Sequence, residues 1–235
     1  NWTRDRGCAK HGVNSCGLAC ASSNPVQVPT RYMLRRALRN QNMALWRSYA
    51  LTLASVAEDC AAPAPGPDSG LAAAFQRFEQ EPAYALGEEL RRDCNEWRLF
   101  HGTGEAGCHS ILEAGFRVEL AGTGATWKGS SKARGIPLYG YGVYLAEKAT
   151  KADEYAQASQ AEGQLHCMLV CRAVLGRMNV VTTNAIDLDK LRTDVFCGPY
   201  HSVLGDRVAS LGKPFREVVV YEKDQVYPEF LLMYE

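Results

Sequence analysis

The sequence predicts an α+β chain built on a largely antiparallel sheet, and two observations lead there. Short β-prone apolar runs at 97–103, 116–119, 140–146, 165–175, 177–182, 216–222 and 226–234 are separated by only brief helical patterns, at 105–114 and 148–158. The last two runs are divided by a few polar residues, a hairpin spacing, whereas a doubly wound sheet needs a helix between most consecutive strands. Stretches 120–139 and 184–214 carry no such pattern and read as loops.

Ahead of the sheet the organisation changes twice. Residues 1–29 are rich in Gly, Ser, Asn, Cys and Pro without sustained periodicity and read as irregular. Cys8, His11, Cys16 and Cys20 are of zinc-ligating types, but their spacing fits no known finger, so no metal is expected. From Thr30 onward, Leu38, Leu45, Tyr49, Leu53 and Val56 recur on one face of a predicted amphipathic helix that covers the sheet. Ala61-Ala-Pro-Ala-Pro-Gly-Pro67 breaks it, because repeated Pro removes backbone donors and favours extended chain. Leu71, Phe75 and Phe78 restart a helix, Pro82 interrupts it, and Leu86 and Leu90 suggest a further turn or two. The expected division is therefore an irregular segment at 1–29, a helical lead-in at 30–93 with its Ala/Pro linker near 61–70, and a core at 94–235.

Composition narrows the function. The 26 basic and 26 acidic residues balance, and Lys and Arg are scattered apart from pairs such as Arg35-Arg36 and Arg91-Arg92, so nucleic acid is not indicated as a partner. No apolar run approaches the roughly 20 residues of a spanning helix and the N-terminus has no signal-like apolar stretch, so no membrane partner is expected. Nine cysteines, an odd number without a regular framework, predict a reduced intracellular protein, nuclear or cytoplasmic. Cys167 and Cys171 fall on one face of a strand-like run and read as small buried hydrophobes. The chain does not begin with Met, which suggests an excised domain.

Three motifs carry the chemistry. Leu99-Phe-His-Gly-Thr103, Tyr139-Gly-Tyr-Gly-Val-Tyr-Leu-Ala146 and Phe215-Arg-Glu-Val-Val-Val-Tyr221 each embed one polar residue, His101, Tyr144 or Glu217, in an apolar run, which predicts three side chains on neighbouring strands around one cleft. The Gly140-Tyr-Gly-Val-Tyr-Leu145 segment is not a dinucleotide fingerprint: its third Gly is replaced by Leu145, and its glycines enter a strand instead of opening a helix. Read alone, His101 is equally a structural histidine, Tyr144 and Tyr155 core aromatics, and Arg117 a solvated edge residue. Glu217 is harder to assign to structure, since an acid between Phe215 and Val218-Val-Val220 is costly to bury unless its charge is used or paired.

Taken in order, these motifs, with Lys151 through Tyr155, Tyr200-His-Ser-Val203, Gln225-Val-Tyr-Pro-Glu-Phe-Leu-Leu232 and Arg39-Asn-Gln-Asn-Met-Ala-Leu-Trp-Arg-Ser-Tyr49, resemble the catalytic domain of the poly(ADP-ribose) polymerase family, the diphtheria-toxin-like ADP-ribosyltransferases, from about Pro29 to Glu235. The resemblance implies the split sheet of that fold with short flanking helices, and NAD as a consumed substrate. By similarity, His101 hydrogen-bonds the adenosine ribose and the backbone of Gly102 takes the nicotinamide carboxamide. Tyr155 stacks on the nicotinamide ring, Tyr144 packs on its other side, and Thr103, Arg117 and Lys151 complete the NAD-contacting set. Glu217 holds the ribose 2′-hydroxyl and polarises an acceptor hydroxyl. Where many relatives place a serine that bonds the carboxamide, this chain has Ala152, which weakens NAD binding by about 0.5–1.5 kcal/mol.

Those roles agree with elementary chemistry. Loss of nicotinamide leaves an oxocarbenium-like sugar, so a fixed carboxylate beside it stabilises the transition state more than the ground state. The implied function is that of a glycosyltransferase: an NAD-dependent protein ADP-ribosyltransferase acting on protein acceptors, itself among them, or extending a growing chain. Transfer of single units only is the nearer alternative. A silent NAD- or ADP-ribose-binding module is the further one, and it would retain the tyrosines while losing the Glu.

Overall fold

Eight strands form one sheet in the computed structural model, which describes residues 31–61, 90–121, 137–156, 165–212 and 215–235. They are β1 (Leu34–Arg39), β2 (Glu96–Gly102), β3 (Val143–Ala146), β4 (His166–Val174), β5 (Met178–Val181), β6 (Ser202–Gly205), β7 (Glu217–Val220) and β8 (Val226–Tyr234). Their spatial order is β1-β8-β4-β2-β3-β7-β6-β5, antiparallel throughout except between β5 and β6. The predicted α+β class and antiparallel character therefore hold.

The sheet has two unequal halves. Strands β8, β4 and β2 pair over long ladders, whereas β3, β7, β6 and β5 are four residues each, and β2 meets β3 at a single register pair, Phe100 with Ala146. The split thus falls next to His101. On one face, Leu99, Leu169, Cys171, Leu145, Val218, Leu204 and Leu231 form the main apolar cluster, capped by Cys108, Ile111 and Leu112 of helix α2 (Glu105–Ala114). Cys167 and Cys171 lie in this cluster as free thiols, matching their reading as small apolar side chains.

Helix α1 (Met43–Ala61) covers the opposite face over the long half, bringing Leu45, Tyr49, Leu53 and Val56 onto Val174 and Tyr227. Asn42 starts it: the side-chain oxygen accepts from the N–H groups of Ala44 and Leu45 at 3.1 and 3.2 Å, satisfying donors that a first turn leaves open. Beneath it, Glu96 is fully buried and accepts from Arg172 Nε at 2.7 Å, Tyr49 Oη at 2.6 Å and the Arg91 N–H at 2.6 Å. A carboxylate so desolvated persists only because each oxygen is answered.

Four local expectations change. Leu38 belongs to β1, paired with Leu231, and not to the helix; its spacing to Leu45 is helical, but Asn40 and Asn42 form a turn and cap between them. Residues 116–119 contain no strand, only the extended Arg117 leading into a 3-10 turn at Val118–Leu120. The run read as a loop at 184–214 holds helix α4 (Leu188–Phe196), strand β6 and helix α5 (Arg207–Leu211). Finally, the helix expected over 148–158 is a four-residue turn, α3 (Ala149–Ala152), followed by a 3-10 turn at Asp153–Tyr155. The irregular segment at 1–29 with its Cys8, His11, Cys16 and Cys20, the Pro residues of the connector, and the helical restarts as far as Leu86 lie outside the described residues, and Leu90 is not helical.

Candidate active site

The site is assembled where the two halves of the sheet meet. His101, near the end of β2, points its Nδ1 at the Tyr144 carbonyl oxygen on β3, 2.9 Å away. A carbonyl only accepts, so Nδ1 carries the proton and, in the neutral ring, Nε2 remains an acceptor. Burial pushes the His101 pKa down, and the carbonyl contact offsets this only in part, so the ring is held neutral. Its edge meets Phe116 with centroids 5.0 Å apart and planes at 89°, which fixes its rotation.

Gly102 follows, and nothing larger fits. A Cβ there would lie 1.7 Å from the Ala152 carbonyl oxygen, because α3 crosses directly over the strand end. Thr103 is half-buried and packs against Gly107 of α2, where a Cβ would come within 2.5 Å of the Thr103 hydroxyl. Gly102 and Ala152 therefore set the spacing of strand and turn together.

Tyr144 anchors its own loop. Its hydroxyl donates to the Gly140 carbonyl at 2.9 Å and accepts from the Tyr139 N–H at 2.8 Å, closing the 139–144 segment around the ring. Burial raises its pKa well above the usual phenol range, and so the phenol stays protonated. Tyr155 ends the 3-10 turn with 39% of its surface exposed. Its hydroxyl accepts from Lys151 Nζ at 3.3 Å, while the same ammonium donates to Glu154 at 3.0 Å and sits 4.2 Å from the Phe215 ring centroid. Lys151 is almost fully buried, so this pairing is what keeps its charge inside.

Glu217 opens β7. Its register partners are Ala146 on β3 and Gly205 on β6, and Ala146 is in turn paired with Phe100, so the four residues stand in one row across the sheet. Tyr144, two residues from Ala146, shares that face, whereas His101, one residue from Phe100, is turned to the other and reaches Tyr144 through its backbone. The three sequence-predicted residues are thus brought to adjacent strands, though not to one face. After burial, the charge of Glu217 is a further cause of the raised phenol pKa values of Tyr139, Tyr144 and Tyr155. Arg117 is exposed at the start of its turn, one residue beyond Phe116, and is the most peripheral of the predicted set.

Residues 68–203, more than half of the chain, match the family model described as the poly(ADP-ribose) polymerase catalytic domain. The chain belongs to that family. Among its relatives are a poly(ADP-ribose) polymerase tankyrase of Caenorhabditis elegans, 32% identical over 96 residues, and the protein mono-ADP-ribosyltransferase PARP12 of Mus musculus, 27% identical over 203 residues. These alignments take in 41% and 86% of this chain but 4% and 22% of the relatives. PARP12 of Homo sapiens is 29% identical over 140 residues, 60% of this chain and 17% of its own length. The chain therefore spans less than a quarter of each.

Within this family frame, one site residue escaped the sequence reading. Arg207 donates from Nη1 to Glu217 Oε2 at 3.2 Å; it is 2% exposed, with its guanidinium carbon 5.7 Å from the Phe215 ring centroid. The signal was present: a buried carboxylate needs a cation, and Gly205-Asp-Arg207 follows directly on the apolar run at 202–204. Reading 184–214 as loop concealed the strand that delivers it. Among the described residues, no helix is long and apolar enough to cross a membrane.

Proposed function

We propose that the chain is an NAD-dependent protein ADP-ribosyltransferase, with residues 94–235 as its NAD-binding core and 30–93 as the lead-in. The observation that carries this is Glu217 at the head of β7, in the row of Ala146 and on the face of Tyr144, beside the strand end bearing His101 and Gly102. NAD is the substrate: His101, as a neutral ring, offers Nε2 to a ribose hydroxyl, and the backbone of Gly102 receives the carboxamide. Tyr144 and Tyr155 bound a flat aromatic slot, with Thr103, Lys151 and Arg117 around it. As the nicotinamide–ribose bond breaks, the carboxylate of Glu217 stabilises the positive charge that develops on the sugar. The acceptor is a protein side chain, and the setting is a reducing, intracellular one, a reading supported by the free thiols among the described residues.

Incubation with labelled NAD, wild type beside Glu217→Ala, tests this. Wild type is expected to release nicotinamide and attach label to protein, and the variant to do both about 10²–10³-fold more slowly, the usual loss on removing one electrostatic stabiliser. Wild type that binds NAD without turnover would sink the enzymatic reading in favour of a binding module.

A further inference from the structure

We propose that Arg207 is a positioning residue for the transfer reaction: acting through Glu217 and not on NAD itself, it holds the carboxylate in one orientation before positive charge develops on the sugar. The inference rests on the transferase reading above. A glutamate side chain is long and flexible, and Glu217 stands at the first residue of β7 with 12% of that side chain open. A carboxylate stabilises a transition state best when its orientation is set beforehand, because turning it during the reaction costs part of what its charge gains. Arg207 supplies the fixed point, donating from Nη1 to Oε2 at 3.2 Å. That bond takes one of the carboxylate's roughly four lone-pair sites, so the others remain for a ribose hydroxyl and an acceptor.

A positioning residue has to be more rigid than the group it positions. Arg207 is 2% exposed, and its guanidinium carbon lies 5.7 Å from the centroid of the fully buried Phe215 ring, just ahead of β7. The same ring takes the Lys151 ammonium at 4.2 Å, and Lys151 donates to the Tyr155 hydroxyl at 3.3 Å. One buried ring thus ties the cation on Glu217 to the cation that braces Tyr155. The backbone of Arg207 is equally held: the Asp206 carboxylate accepts from the Val208 and Ala209 N–H groups at 3.1 and 3.0 Å, and the Asp206 N–H donates to the Val181 carbonyl at 2.9 Å. Gly205, the register partner of Glu217, lies so near the Tyr139 ring that a Cβ there would come within 2.2 Å of it. The strand end that delivers the guanidinium is therefore locked against the strand that carries the carboxylate.

The test measures kcat and KM for nicotinamide release, per folded molecule, in wild type, Arg207→Gln, Arg207→Lys, Glu217→Ala and the double variant Arg207→Gln/Glu217→Ala. Arg207→Gln is expected to lower kcat about 10–10²-fold, the scale of a misplacement of about 1 Å, with KM little changed. Arg207→Lys, which keeps a cation without the planar fork, regains part of the loss. In the Glu217→Ala background the Arg207→Gln change costs nothing further, because the group it orients is gone. A purely structural Arg207 gives a different pattern, fewer folded molecules with unchanged kcat in those that remain. Unchanged kcat in Arg207→Gln, a fall carried by KM, or the same fold-loss with and without Glu217 overturns the proposal and leaves the transferase reading standing. Where Glu217→Ala is too slow to measure, the kcat–KM split and the Lys variant decide; where Arg207→Gln does not fold, Arg207→Lys reads the same split. Wild type that releases no nicotinamide overturns both.

Discussion

The long half of the sheet and the short half solve different problems with the same alternating strands. In the long half, β8, β4 and β2 are buried on both faces, under α1 on one side and α2 on the other, and of their deeply buried carboxylates Glu96 is answered by three donors and Glu229 by Arg98. In the short half, the carboxylate of Glu217 pairs through one oxygen with Arg207 Nη1 and keeps 12% of its side chain open. The contrast teaches where structure ends and chemistry begins: a carboxylate saturated by its surroundings holds the fold, and one left partly unsatisfied can serve a substrate.

The sharpest way to break this comparison is to empty the long half. Arg172→Ala leaves Glu96 buried without its ion-pair partner and is expected to cost about 3–5 kcal/mol in denaturant unfolding. Nicotinamide release per folded molecule should change little by comparison, since Glu96 and Arg172 lie under α1 and away from the strand ends that carry the site. A proportionate fall in turnover with unchanged stability would reverse the assignment of the two halves.

A smaller effect sharpens it. Asn42→Ala removes the cap of α1 and a tie to α2, where the Asn42 amide donates to the Glu113 carbonyl at 2.8 Å. The expected loss is about 1 kcal/mol of stability, read from the thermal midpoint, with nicotinamide release per folded molecule unaltered.

The smallest effect is in pH. The pKa of His101 is lowered in the folded state by burial, so the unfolded chain binds a proton more readily as pH falls through the ordinary histidine value near 6.5. Stability contributed by the neutral ring is therefore full above that value and declines below it, levelling off once pH passes the folded pKa. His201 is shifted in the same direction by its own burial, so the measured slope contains both. His101→Gln should leave a shallower slope between pH 7 and 5 in urea titrations (a window set by that ordinary value); an unchanged slope would show that His101 is not the buried neutral group.

How much of this was legible in the sequence depends on how far each signal is local. His101, Tyr144 and Glu217 each stand inside an apolar run, so alternation alone placed them on strands, and the chain delivers them to neighbours in the sheet. The edge strand β1 was hidden because its residues, Leu34-Arg-Arg-Ala-Leu-Arg39, are exposed throughout and are held by main-chain pairing to β8, which leaves no hydrophobic period to read. Strand β6 is only four residues long, and it is buried by partners on either side that are distant in sequence. Arg207 depends on both facts: its pairing with Glu217 spans ten residues of chain but exists only once β6 is laid beside β7. The face of His101 was likewise beyond a one-dimensional reading, since it turns on the register Phe100 takes with Ala146.

That register has a further consequence. Because β2 and β3 share one rung, the main chain of β2 past Phe100 leaves the ladder with β3, and the His101 ring bonded to the Tyr144 carbonyl stands beside that last rung, a side chain pinning the two halves of the sheet together.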